Sequence, residues 1–111
     1  MSIALSLDLS RVPRVDQVGV EERAAALATR SIKKGAKQAG IRLAISMIDL
    51  TTLEGKDSEG KVRQMCRKAV RPMPGDLTVP HVADVCVYPN FVAIARDALS
   101  GSGVRVASVA T

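Results

Sequence analysis

Val82-Ala-Asp-Val-Cys-Val-Tyr88 is a short, mostly apolar run, enclosed by the proline-rich segment 72–80 on one side and Pro89-Asn90 on the other. A run of this length and composition reads as a strand buried on both faces. Ile41-Arg-Leu-Ala-Ile-Ser-Met-Ile-Asp-Leu50, bounded by Gly40 and Glu54-Gly55, reads the same way, and so does Val104-Arg-Val-Ala-Ser-Val-Ala110. Helical patterns lie between these runs. Val62, Met65, Cys66 and Ala69 recur at i, i+3, i+4 and i+7, behind Asp57-Ser58 as N-cap residues and Glu59 in the first turn, and Pro72 and Pro74 stop the helix. Pro89-Asn90 opens a further helix with Phe91, Ile94, Ala95, Ala98 and Leu99 facing inward, and Gly101 and Gly103 end it.

Towards the N-terminus, residues 1–20 show no clear period and read as an extended arm. From Glu21 the pattern turns helical, with Ala24, Leu27, Ala28 and Ile32 on one face. Glu21 and Glu22 suit the start of this helix, Lys33, Lys34 and Lys37 suit its end, and Gly40 suits its stop. The order is helix, then β-α-β-α-β, which implies parallel strands with right-handed crossovers. The expected organisation is an arm and helix over 1–40 and a βαβαβ part over 41–111. Three strands ending on a strand make a poor free-standing domain, whereas an eight-stranded barrel takes roughly 250 residues. The expected fold is therefore α/β, the N-terminal part (first three β-strands) of a (β/α)8 TIM barrel preceded by an N-terminal helix. A doubly wound sheet is the alternative, but no strand is followed by a GxGxxG phosphate loop.

Composition narrows the function classes. The net charge is +5 over 111 residues, which on its own fits nucleic acid, a membrane surface or an anionic small molecule. The one dense basic run, Arg30, Lys33, Lys34 and Lys37, reads as a solvated helix face. Tyr88 and Phe91 are the only aromatics, so base-stacking platforms are nearly absent. Cys66 and Cys86 show no metal spacing and His81 is the only histidine, which leaves too few ligands for a structural zinc. Free thiols in a reducing compartment, no targeting segment and no membrane span lead to a cytoplasmic expectation.

In a barrel, functional groups gather at the C-terminal ends of the strands. Asp49, followed by Thr51, ends the first expected strand, Cys86 lies near the end of the second, and Ser108 and Thr111 end the third. Asp49 could orient a substrate hydroxyl or hold a lysine in its charged state, or it could cap the following turn through Thr51 or Thr52. Cys86 reads as a small buried apolar residue or as a thiol lining a pocket floor. No histidine close in sequence could activate it as a nucleophile. Cys66 faces the helix–sheet core, and His81 reads as a loop or surface residue. Lys33, Lys34, Lys37, Lys56, Lys61 and Lys68 all fall on helices or loops. None sits within an apolar strand, where desolvation could lower its pKa for imine chemistry.

Met47-Ile-Asp-Leu-Thr-Thr-Leu53 resembles the first-strand motif of deoxyribose-phosphate aldolases. Ala83-Asp-Val-Cys-Val-Tyr-Pro89 resembles their second strand, typically Ala-x-Val-Cys-Val-Tyr-Pro. Val106-Ala-Ser-Val-Ala-Thr111 resembles their third, which in the family precedes a Gly-Phe-Pro turn. The three motifs stand in order at family-like intervals, and the stretch before them resembles longer members with an extra N-terminal helix. The resemblance implies a TIM barrel that reversibly cleaves 2-deoxy-D-ribose 5-phosphate to acetaldehyde and D-glyceraldehyde 3-phosphate through a lysine imine, without metal or organic cofactor. It implies substrate-binding roles for Asp49, Thr51, Leu53 and Cys86, a phosphorylated sugar as the small-molecule partner, and a homodimer of the whole enzyme. The imine lysine, its helper lysine, the assisting aspartate and the phosphate site belong to later strands and have no counterpart here, so no catalytic residue is assigned and the chain alone is expected to be inactive. Two further expectations stand beside this one: a small basic nucleic-acid-binding module using the Arg30–Lys37 run, and a truncated product without activity of its own.

Overall fold

The computed structural model describes residues 8–110 as two compact units, divided after Ile32. In the first, a 3-10 turn at Leu9–Arg11 is capped by Asp8, whose carboxylate accepts from the Ser10 amide. Helix α1 spans Gln17–Ala28. It starts before Glu21 because Asp16 is the N-cap: its carboxylate accepts from the Gly19 amide at 3.2 Å, satisfying one of the helix's free donors. No side chain of α1 is buried. Residues 1–7 of the expected arm lie outside the described residues.

The second unit opens with helix α2, Lys34–Ser46. This corrects two expectations. The single helix expected from Glu21 to Gly40 is two helices, because Thr29 closes α1, its hydroxyl donating to the Ala26 carbonyl at 2.8 Å. The strand expected over Ile41–Leu50 is helical up to Ser46, and only Asp49–Thr51 forms a strand, β1. The apolar run was short enough to suit either structure, and Ile41 and Leu43 are more than half exposed rather than buried on both faces. Gly40 sits inside α2 with no unusual φ and does not stop it. Lys33, Lys34 and Lys37 therefore stand at the start of a helix, not at its end. Lys33 is an N-cap without a side-chain hydrogen bond, and Lys34 has a φ of 52°.

From β1 onward the chain follows the sequence reading closely. Helix α3 spans Glu59–Val70, strand β2 Asp84–Val87, helix α4 Val92–Ala98 and strand β3 Arg105–Ser108. Ser58 caps α3 by accepting from the Lys61 amide, with Glu59 in the first turn and Arg67 and Lys68 in the last, as the helix dipole favours. A 3-10 turn at Pro89–Phe91 leads into α4. Both later strands are shorter than their apolar runs, although Val82 and Val104, just outside the ladders, are buried.

The three strands are parallel in the order β1-β2-β3, with Asp49 opposite Asp84 and Asp84 opposite Arg105. The strands are added in one direction with both crossover helices on one face, an open parallel sheet compatible with part of a barrel. The core lies between that face and the helices: Val62, Cys66 and Ala69 of α3, Ala95 of α4 and Leu99 just after it, and Val85 and Val87 of β2. Each fully buried valine contributes roughly 1.5–3 kcal/mol of transfer free energy. Arg63 of α3 ties the two helices together, lying 2.9 Å from Glu59 and 2.9 Å from Asp97. No helix among the described residues is long and apolar enough to cross a membrane.

Candidate functional site

Alternation along a strand sends successive side chains to opposite faces. Leu50, Val85, Val87 and Val106 take the helix side of this sheet. Asp49 and Thr51 of β1, Asp84 and Cys86 of β2, and Arg105 and Ala107 of β3 take the other. On that face Asp49, Asp84 and Arg105 form one row, and Thr51, Cys86 and Ala107 form the next row towards the C-terminal ends of the strands. Two of the expected binding residues, Thr51 and Cys86, are thus direct register partners, and Asp49 stands one row below them. The Thr51 hydroxyl donates to Asp49 Oδ1 at 3.3 Å. Leu53 follows two residues beyond the end of β1 and is 36% exposed.

Ser108 does not join this group. It is the register partner of Val87, on the helix side, and its hydroxyl donates to the Val109 carbonyl. Ala107 holds the matching place on the polar face. Thr111 lies outside the described residues. Cys66 is buried in the core, where desolvation pushes its thiol pKa up against a smaller opposing effect of Arg63. Cys86 is a half-buried free thiol. His81 is exposed in the segment before β2, its Nδ1 donating to the Val82 carbonyl at 2.6 Å. Arg30, Lys33, Lys34 and Lys37 are all exposed, and no lysine lies in any of the three strands.

Asp84 was not among the residues the sequence singled out. Its Oδ1 is buried without a hydrogen-bond partner. Burial raises the pKa of its carboxyl, the adjoining Asp49 carboxyl raises it further, and Arg105 works the other way. The signal was present as a charged residue inside an otherwise apolar strand, in register with Asp49.

A groove of about 1070 Å³ lies between α4 and β3 and includes Arg96, Asp97 and Arg105, but none of the expected binding residues. A smaller one of about 370 Å³ runs along the β1 edge past Thr51, Thr52, Lys61 and Met65. The chemistry-bearing face is better defined by strand register than by either concavity, because register fixes which side chains share a face.

No family model matches the chain. Among curated proteins it is 40% identical to the deoxyribose-phosphate aldolase of Mus musculus over 95% of its length. It is 38% identical to those of Bos taurus and Homo sapiens, over 95% and 94% of its length. The chain spans about 37% of the length of each of these relatives.

Proposed function

We propose that this chain supplies the first three strands of a (β/α)8 deoxyribose-phosphate aldolase and forms the part of its site that orients 2-deoxy-D-ribose 5-phosphate for reversible cleavage to acetaldehyde and D-glyceraldehyde 3-phosphate. The observation that carries the reading is the placing of Asp49, Thr51 and Cys86 on one face, at and just below the C-terminal ends of parallel strands. Barrel enzymes do their chemistry at that end of the strands. The relatives' name, deoxyribose-phosphate aldolase, supports the aldolase reading, and the resemblance of the three strand motifs to that family implies the reaction.

The roles follow from the side chains. Asp49 accepts a hydrogen bond from a sugar hydroxyl, Thr51 donates or accepts beside it, Leu53 forms an apolar wall and the Cys86 thiol lines the floor. Holding the substrate in one pose lowers the barrier by removing its rotational freedom before reaction. Cleavage itself needs an electron sink, which an imine between a neutral lysine and the sugar carbonyl provides. None of the six lysines here is placed for that step, so the imine forms on a lysine outside these 111 residues and the chain by itself turns over no substrate.

Borohydride trapping tests this. The protein that carries this chain is incubated with 2-deoxy-D-ribose 5-phosphate, reduced, digested and mapped by mass. The expected result is acetaldehyde release and a reduced adduct on a lysine outside residues 1–111. No acetaldehyde, or an adduct on Lys61 or any other lysine of the chain, would overturn the proposal.

A further inference from the structure

Thr52 sits between the two residues assigned to substrate, Thr51 and Leu53, and is buried, with 8% of its surface exposed. It is pinned from two directions. Its amide donates to the Cys86 carbonyl at 3.1 Å, which extends the β1–β2 pairing by one residue. Its hydroxyl donates to Asp57 Oδ1 at 2.9 Å. The other carboxylate oxygen of Asp57 accepts from the Glu54 amide at 3.1 Å. Lys61, one turn into α3, lies 2.9 Å from Asp57 Oδ1 and 2.6 Å from Glu54 Oε2. The Asp57 side chain is 1% exposed.

We propose that Asp57 is a positioning residue for substrate recognition: it locks the loop 52–57 onto α3, so that Thr51 and Leu53 keep their places at the end of β1. This role rests on the aldolase reading above. Without the lock, a three-residue strand followed by Leu53-Glu-Gly-Lys56 has little to hold its last side chains, since the loop buries nothing else. The carboxylate suits the task because three donors converge on it: a hydroxyl, an amide and an ammonium. Burial opposes its charge, and the donors outweigh that cost and keep it ionised. An asparagine would turn one of its two acceptors into a donor facing other donors.

The experiment is steady-state cleavage of 2-deoxy-D-ribose 5-phosphate by the full protein that carries this chain, as wild type, Asp57→Asn, Thr52→Val and Thr52→Ser. Loosening the binding residues raises KM, whereas a variant that only folds less completely lowers kcat and leaves KM alone. The expected result is a KM raised about tenfold in Asp57→Asn and Thr52→Val, with kcat within about twofold of wild type. Thr52→Ser, which keeps the hydroxyl, should restore a near-wild-type KM. If Asp57→Asn does not fold, Thr52→Val carries the test, because it replaces a hydroxyl with a methyl of similar size. Unchanged KM in the folded variants, or Thr52→Ser as impaired as Thr52→Val, overturns the positioning role while leaving the aldolase reading intact. A wild-type protein that releases no acetaldehyde overturns that reading itself, and the role with it.

Discussion

Asp49 and Asp84 face each other across the β1–β2 ladder, and one oxygen of Asp84 is buried with no hydrogen-bond partner. Two carboxyls on one row, with Arg105 the next residue along it, cannot both ionise without cost. Asp84 therefore holds its proton to a higher pH in the folded chain than its ordinary value of 3.8. The folded form binds more protons than the unfolded form over that window. The stability this group contributes is complete below the ordinary value and is lost as pH rises through the raised one. Asp84→Asn keeps the shape and removes the charge. It should raise stability at about pH 7, because the amide carries no charge for burial and the Asp49 carboxyl to oppose. The gain should vanish in acid. Urea melts of both forms at neutral and acid pH check this, and an equal effect at the two would refute it.

Gly103 has a φ of 82°, and a Cβ there would lie 3.3 Å from His81 Nε2. Gly103→Ala should cost about 1–2 kcal/mol through backbone strain, with a further steric part. Adding His81→Ala should recover the steric part alone. A double-mutant cycle by thermal melting separates the two, and full recovery in the double variant would show that the backbone bears no strain.

Val85 is fully buried at the centre of the sheet, between both crossover helices. Val85→Ala removes two methyl groups from a packed site and should cost about 2 kcal/mol. The expected readout is a lower urea midpoint with an unchanged slope. A change in slope instead would mean that the unfolding transition had lost its two-state character.

Cys66 has no exposed surface and burial disfavours its thiolate, whereas Cys86 is half-buried on the face that carries Asp49. A chromogenic disulfide reagent should label one thiol quickly and the other only on unfolding. Peptide mapping should identify Cys86 as the fast site. Equal rates would show that the α3 core opens readily.

Where the sequence carried two signals at once, it was legible. In α3 the apolar period, the Ser58 cap and the terminating Pro72 all agree with the structure. The strand order followed from helices alternating with short apolar runs. The boundary before β1 failed because Ile41–Ser46 offered hydrophobicity alone, and the neighbouring Gly40 was not at a turn. Residues 17–20 failed for the opposite reason: Asp16 was a good cap signal, hidden in what read as an arm. At the site, Thr51 and Cys86 were legible from their places in the runs. Their partnership is a matter of register, which no single run displays. Ser108 ends β3 as the run implied, although its face is set by register, and Asp84 was passed over because its environment depends on Asp49, a residue 35 positions away.

The sheet adds its strands in the order in which they are encoded: β2 pairs with the strand made before it, and β3 pairs with β2. As the chain leaves the ribosome, each strand after β1 meets a template already present. Its crossover helix, emerging in between, covers the same face each time. Growth of this kind closes short loops one after another, which keeps the entropy cost of each step small and shortens the time that a bare strand edge spends exposed.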